Sequence, residues 1–239
     1  MKKIFLGIFL FSSVIFADTI NILAAANLSK VLEEIKQDFL LTHKNHQINI
    51  SYLSSGKAYA QIKNNAPIDL FVSADLAYPQ KLFEEKLSTQ PQIYAQGILV
   101  LWSKTNKIDS LQDLLDQNIK NIALPNPELA PYGRAAKEVL EKTHLYKSLE
   151  SKISQATSIS QAHQWVESKN AQAGFGALSL IDKKDSEVSF IIIDAHLYTP
   201  IKQALVITNI GKEKSLAKEF ATFILNSQEL FKKYGYLAP

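Results

Sequence analysis

Apolar positions in this chain come at two spacings that alternate along its length. Ile20, Ile22 and Leu23 form a short block, after which Leu28, Val31, Leu32, Ile35 and Phe39 recur every three or four residues. The first pattern predicts a strand and the second the buried face of a helix. Ile48, Ile50 and Tyr52 alternate as another strand ahead of a helix carrying Ala58 and Ile62, and residues 69–72 and 98–102 read as two more strands. Beyond Trp102 the rhythm restarts. Leu111, Leu114 and Leu115 mark a helix, residues 122–124 a strand, and residues 134–142 a helix with Val139 and Leu140 inward. Ile159, Ala162, Trp165 and Val166 lie on a further helix, whose start at Ser158 with Gln161 three positions on has a capping-box pattern. Residues 173–176 and 190–193 supply later strands. This βαβα order predicts an α/β fold of parallel sheets covered by helices on both faces.

Two segments break the rhythm. Residues 94–103 and 199–208 are long and extended with few turn residues, and they look like two crossings between lobes. Phe220, Phe223, Ile224, Leu230 and Phe231 then recur at helical spacing, so the last helices would return to the first lobe. Gly235 stands where a left-handed helix cap is expected. No Pro-rich linker or repeat appears, so the hinge would be made of strands. The division expected is 18–98 plus 198–239 for one lobe and 99–197 for the other.

Four predicted strand-to-helix junctions carry small neutral donors: Ala26-Asn27, Ser54-Ser55-Gly56, Pro131-Tyr132-Gly133 and Ser158-Ile159-Ser160. The first turn of a helix has unpaired N–H groups and the positive end of the macrodipole. Several such turns aimed at one point make an anion site without Lys or Arg. Asn27 also suits a plain N-cap for a helix starting at Leu28, and Ser54-Ser55-Gly56 suits an ordinary loop. Lys57 reads as a solvated side chain outside such a cage.

The N-terminus adds a compartment. Lys2-Lys3, an apolar run over residues 4–16 and the small residue Ala17 before Asp18 form a secretory signal-peptide pattern, too short for a bilayer span. Cleavage near Ala17 predicts an exported, periplasmic protein. With no Cys in the chain, neither a lipid on Cys nor a disulfide is available. Removal of residues 1–17 takes two lysines from the 26 basic residues and leaves 24 against 23 acidic ones. A nearly neutral chain of this kind lacks the basic stripe of a nucleic-acid binder. His43 and His46 have a spacing that could touch one metal but no third ligand beside them. Asp69 and Asp75 resemble paired carboxylates, although Asp75 sits where a helix cap would. A G-x-S-x-G nucleophile turn is absent.

Taken in order, Ile22-Leu23-Ala24-Ala25-Ala26-Asn27-Leu28, Ser51-Tyr52-Leu53-Ser54-Ser55-Gly56, Pro67-Ile68-Asp69-Leu70-Phe71-Val72-Ser73-Ala74-Asp75, Asn126-Pro127-Glu128 through Pro131-Tyr132-Gly133, and Phe231-Lys232-Lys233-Tyr234-Gly235-Tyr236 resemble the periplasmic molybdate-binding proteins of ABC transporters. The resemblance covers essentially the whole chain after residue 17. It implies a two-lobed periplasmic binding fold, each lobe a mixed, mainly parallel sheet flanked by helices, with two crossover segments. It also implies a monomer, no cofactor, molybdate or tungstate held between the lobes, and delivery to a membrane permease. Carried over by position, it makes Asn27 the first donor, Ser55 the second hydroxyl, Tyr132 a backbone N–H donor and Ile159 the helix start that completes the cage, with Ala26 and Ser54 beside them. Where relatives with Ser at the first site use a Tyr after the Gly-rich strand, this chain has Ala177. The amide of Asn27, with the N–H groups of Ala26 and Ser55, is expected to make up that bond.

The donors are neutral, which bears on the ligand. Hydrogen phosphate needs an acceptor for its proton, and no Asp or Glu stands at the four donor positions. A fully deprotonated tetrahedral dianion fits better, leaving molybdate, tungstate and sulfate for cavity size to separate. The other readings are a sulfate or other oxyanion receptor, a ferric receptor, or an enzyme on the same fold. Ferric receptors resembling this fold generally pair adjacent tyrosines, whereas Tyr234 and Tyr236 flank Gly235. A porphobilinogen-polymerising enzyme would require a Cys for its cofactor.

Overall fold

A computed structural model describes residues 18–239; the leader expected at 1–17 lies outside the described residues. The chain begins with β1 (Thr19–Ala25), α1 (Ser29–Thr42), β2 (Gln47–Leu53), α2 (Ser55–Lys63), β3 (Leu70–Val72), α3 (Ala77–Glu84) and β4 (Gln92–Gly97). It continues through β5 (Leu99–Ser103), β6 (Ile122–Pro125), α4 (Pro131–Lys142), α5 (Tyr146–Leu149), β7 (Ile153–Ala156), α6 (Ile159–Glu167), β8 (Ala173–Ala177) and β9 (Ser189–Ile192). Finally β10 (Ile201–Ile207), α7 (Ser215–Asn226) and α8 (Gln228–Lys233) close the fold.

Two five-stranded sheets result, ordered β2-β1-β3-β10-β4 and β7-β6-β8-β5-β9, and each is the heart of one lobe. β1 runs parallel to β2 and β3, and β6 parallel to β7 and β8. β10 is antiparallel to both its neighbours, and so is β5. Four of the five strands in each sheet therefore point one way, and the reversed strand is the one by which the chain enters that lobe. The extended segment 94–103 is two strands in different sheets, hinged at Ile98, because its halves pair with β10 and β8 respectively.

Periodicity places the core where the helices need it. Val31, Leu32, Ile35 and Phe39 of α1 are buried together, each worth about 1.5–3 kcal/mol relative to exposure. α7 packs Phe220, Ala221 and Ile224 inward, and contacts α1, β1 and β4 in the first lobe. Gly235, with φ of +82°, ends α8 in the left-handed region and lies against Leu178 of the second lobe, where an added Cβ would come within 3.1 Å.

Candidate anion cage between the lobes

The parallel strands of both sheets deliver their following helices to one seam. In open α/β sheets the carboxyl ends of the strands form the ligand crevice, and here β1, β2, β6 and β7 all end there. α2, α4 and α6 begin directly at Ser55, Pro131 and Ile159. The first junction differs from expectation: residues 26–28 form a 3-10 turn, α1 begins at Ser29, and no side chain caps it. Asn27 is thus not an N-cap, and its amide is free for other bonds. At α6 the expected cap forms, with Ser158 Oγ accepting from Gln161 N at 3.2 Å.

Ala25, Ala26, Asn27, Leu53, Ser54 and Ser55 face Ala130, Pro131, Tyr132 and Ile159 across a small cavity. Every residue predicted for the cage lines it. The N–H groups of Ser55, Tyr132 and Ile159 precede the first intrahelical acceptors and take no backbone partner among the described residues. Ser55 Oγ accepts from Ala74 N at 3.0 Å, which leaves its own proton to donate. Ser54 Oγ and Asn27 Oδ1 are buried without any hydrogen-bond partner, the signature of a site built to be completed by something else. No ionised side chain lines the cavity. Lys57 is exposed, and Ala177 is buried in β8 without lining it.

The lobes are shut over this space. Gly56 N donates to Leu129 O at 2.9 Å, Ser160 Oγ to Ala26 O at 3.1 Å, and Ser179 Oγ to Asn27 O at 3.0 Å. Lys30 Nζ reaches Leu180 O at 2.7 Å, and Tyr78 OH reaches Glu128 O at 2.8 Å. Arg134 Nη2 also pairs with Asp75 Oδ2 across the seam. Asp69 is elsewhere, accepting from Asn21 N and pairing with Lys214 at 3.0 Å. The two carboxylates therefore do not act together. His43 stacks on Phe39 at 3.8 Å, and no group of three metal-ligating side chains occurs among the described residues.

Behind Asn27 lies a buried polar cluster that the sequence reading did not assemble. Asn27 Nδ2 is 3.1 Å from both Gln203 Oε1 and Tyr236 OH, and Gln203 Nε2 is 3.1 Å from Tyr132 OH. Tyr94 OH is 2.7 Å from Ser73 O and 3.0 Å from Gln203 Oε1. Burial pushes the phenols of Tyr94, Tyr132 and Tyr236 well up, with neighbouring tyrosines adding to it at Tyr94 and Tyr132, so all three hydroxyls stay protonated. The available signal was Gln203 itself, an amide at an inward position of the apolar run in β10.

The family model for bacterial extracellular solute-binding proteins matches residues 20–237. The chain is 36% identical to the molybdate-binding protein ModA of Rhodobacter capsulatus, covering 89% of this chain and 86% of that one. It is also 36% identical to ModA of Azotobacter vinelandii, over 92% and 90% of the two chains. The solved A. vinelandii periplasmic molybdate-binding protein superposes with a TM-score of 0.85 at 33% identity, covering 92% of this chain and 99% of that one. The architecture is that of a type II periplasmic binding protein, and the family is one of solute receptors, not catalysts. The chain belongs to the bacterial extracellular solute-binding proteins, in their ModA-type branch. More distant folds in the same shape include the Mycobacterium tuberculosis sulfate-binding protein SubI, with a TM-score of 0.75 at 13% identity.

Proposed function

We propose that this chain is a periplasmic receptor that captures molybdate or tungstate in the cage between its lobes and hands it to the permease of an ABC transporter. The observation that carries this reading is a closed, uncharged cavity ringed by helix-start N–H groups, with Ser54 and Asn27 buried and unsatisfied on its wall. The similarity to ModA proteins supports the choice of ligand. Asn27, Ser55, Tyr132 and Ile159 are the donors, flanked by Ala26 and Ser54. The protein acts as a monomer without a cofactor, is released from its leader near Ala17, and folds as lobes 18–98 plus 198–239 and 99–197.

Because the donors are fixed in a site that excludes water, molybdate and tungstate should both bind near the nanomolar range, about −12 kcal/mol. Sulfate is smaller and cannot touch every donor. Leaving donors unpaired in a closed site costs about 4 kcal/mol, roughly 1000-fold. Hydrogen phosphate should be weaker still. Competition calorimetry with the four anions tests the reading. Sulfate binding as tightly as molybdate would make this a sulfate receptor, and no binding by any of the four would overturn the oxyanion assignment.

A further inference from the structure

The cluster behind Asn27 does not match its donors to its acceptors when the two amides are oriented this way. Tyr94 OH has one proton but faces two acceptors, Ser73 O and Gln203 Oε1. Tyr132 OH accepts from Gln203 Nε2, so its own proton has no recipient among these groups. Asn27 Oδ1 is buried with no donor at all. Three misfits at one site have one remedy. An amide keeps its shape when its oxygen and nitrogen exchange places, and turning over both Gln203 and Asn27 resolves all three.

In the reversed arrangement Gln203 Nε2 donates to Tyr94 OH and to Asn27 Oδ1, while Tyr94 keeps its proton on Ser73 O. Tyr132 OH donates to Gln203 Oε1. Tyr236 OH keeps its proton on the Asn27 backbone O, 2.8 Å away, and gives up the bond from Asn27 Nδ2, whose place 3.1 Å away passes to Oδ1, so one contact is lost where three misfits are removed. The NH2 group of Asn27 then occupies the place of the orphan oxygen, on the cavity wall. An oxygen there would repel an anion, and an NH2 group attracts one.

We infer that Gln203 is a positioning residue for anion capture: it fixes the amide of Asn27 with its NH2 group toward the cage, and takes its own orientation from the Tyr132 hydroxyl. The inference rests on the proposed role of Asn27 and assigns a cause to it. Tyr132 lies on α4 in the second lobe, and Gln203 lies on β10 in the first. Closing the lobes thus brings the proton that orients Gln203, so the first-lobe donor is set only when the second-lobe donors arrive. Gly97, at the end of β4, leaves the room this needs. A Cβ there would come within 2.2 Å of Tyr132 OH and 2.5 Å of Gln203 Nε2.

A double-variant cycle with molybdate as the probe, read by titration calorimetry, tests this. Gln203→Met preserves volume and removes both polar ends; it should weaken binding about 10-fold in the otherwise unchanged protein. In an Asn27→Ala background the same change should have no further effect. An equal loss in both backgrounds would overturn the positioning role and leave Asn27 as a donor intact. An unaltered dissociation constant for Asn27→Ala would instead sink the donor reading and this inference with it. Should Gln203→Met fail to fold, side-chain amide spectra of the 15N-labelled unaltered protein decide. The Asn27 NH2 resonances should move on molybdate addition, and immobile Asn27 resonances would overturn the proposal.

Discussion

Two cavities lie side by side along the seam and share Pro131, yet they hold their polar groups in opposite ways. The small cage has only neutral donors, and several of these lack partners. The neighbouring groove of about 330 Å³ is wider and charged, with Asp75, Arg134, Glu138 and Lys202 on its walls. Its buried charge is already paired, Arg134 with Asp75, while Glu138 accepts from Thr199 N at 2.6 Å and Lys202 is exposed to solvent. Size would favour the groove over the cage, but a site is recognised by what it leaves unsatisfied. The groove needs nothing added, whereas the cage buries donors that cost about 1–3 kcal/mol each until something accepts from them.

The sharpest way to break this contrast is to put a charge into the cage. Asn27→Asp places a carboxylate on its wall, where repulsion of a dianion exceeds about 4 kcal/mol even at an effective dielectric near 20. Molybdate affinity should fall at least ~1000-fold above pH 7. The new acceptor should at the same time raise the relative standing of hydrogen phosphate. Calorimetry with both anions at pH 8 checks this, and retention of molybdate affinity would show that Asn27 does not face the anion.

Ser55→Ala removes a single donor without adding charge. A hydrogen bond to a charged group is worth about 1.5–3 kcal/mol, so binding should weaken roughly 10- to 150-fold. Some cost to the free protein follows as well, since Ala74 N would lose its acceptor. An unaltered dissociation constant for molybdate would remove Ser55 from the cage.

The same contrast explains what could be read before any coordinates. Helix faces such as Val31, Leu32, Ile35 and Phe39 were legible because burial imposes a period on apolar residues. That these residues line one cavity was legible because each sits at a strand-to-helix turn, where local sequence marks the place. Residue 27 shows the limit: its capping preference is a local property, but β1 leads into a 3-10 turn and the side chain is drawn to Gln203 and Tyr236, 176 and 209 residues away. Asp75 and Arg134 were likewise separated by 59 residues, and only the shut seam joins them. The reversed strands β5 and β10 were read as extended crossings; their antiparallel pairing depends on partners that no local pattern names.

Away from both cavities, His163 offers a test of burial without partners. It stacks on Trp102 at 4.5 Å, and both His163 Nδ1 and Trp102 Nε1 lack hydrogen bonds. Burial, reinforced by the positive charge of Lys30, lowers its pKa to about 4 from an unfolded value near 6.5. The unfolded chain therefore binds the extra proton first, and stability falls as pH drops from about 6.5 to about 4. The loss should be on the order of 2 kcal/mol, allowing for partial contact with solvent. Denaturant melts at pH 7 and pH 4.5 should show it, and His163→Gln should remove this part of the slope. An identical slope in the variant would assign the acid sensitivity to other groups.

The smallest expected effect falls in the charged groove. Arg134 and Asp75 pair across the seam without touching the cage, and the Arg134 side chain is 36% exposed while that of Asp75 is 11% exposed. Exposed pairs contribute about 0–1 kcal/mol, and although the Asp75 carboxylate is buried it keeps Ser73 Oγ at 2.9 Å and Tyr78 N at 3.3 Å as donors when the guanidinium is removed. Arg134→Ala should accordingly weaken molybdate binding no more than about 5-fold, chiefly through faster release, because the pair exists only when the lobes are shut. The ranking of molybdate, tungstate and sulfate should not change, since no cage donor is altered. Stopped-flow release rates at low and high salt distinguish the cases. A latch loses its influence as salt screens it, so the variant and the unaltered protein should converge. A loss beyond 100-fold, or a changed anion ranking, would mean that the guanidinium acts on the bound anion itself and that the cage is less insulated from the groove than its neutral wall implies.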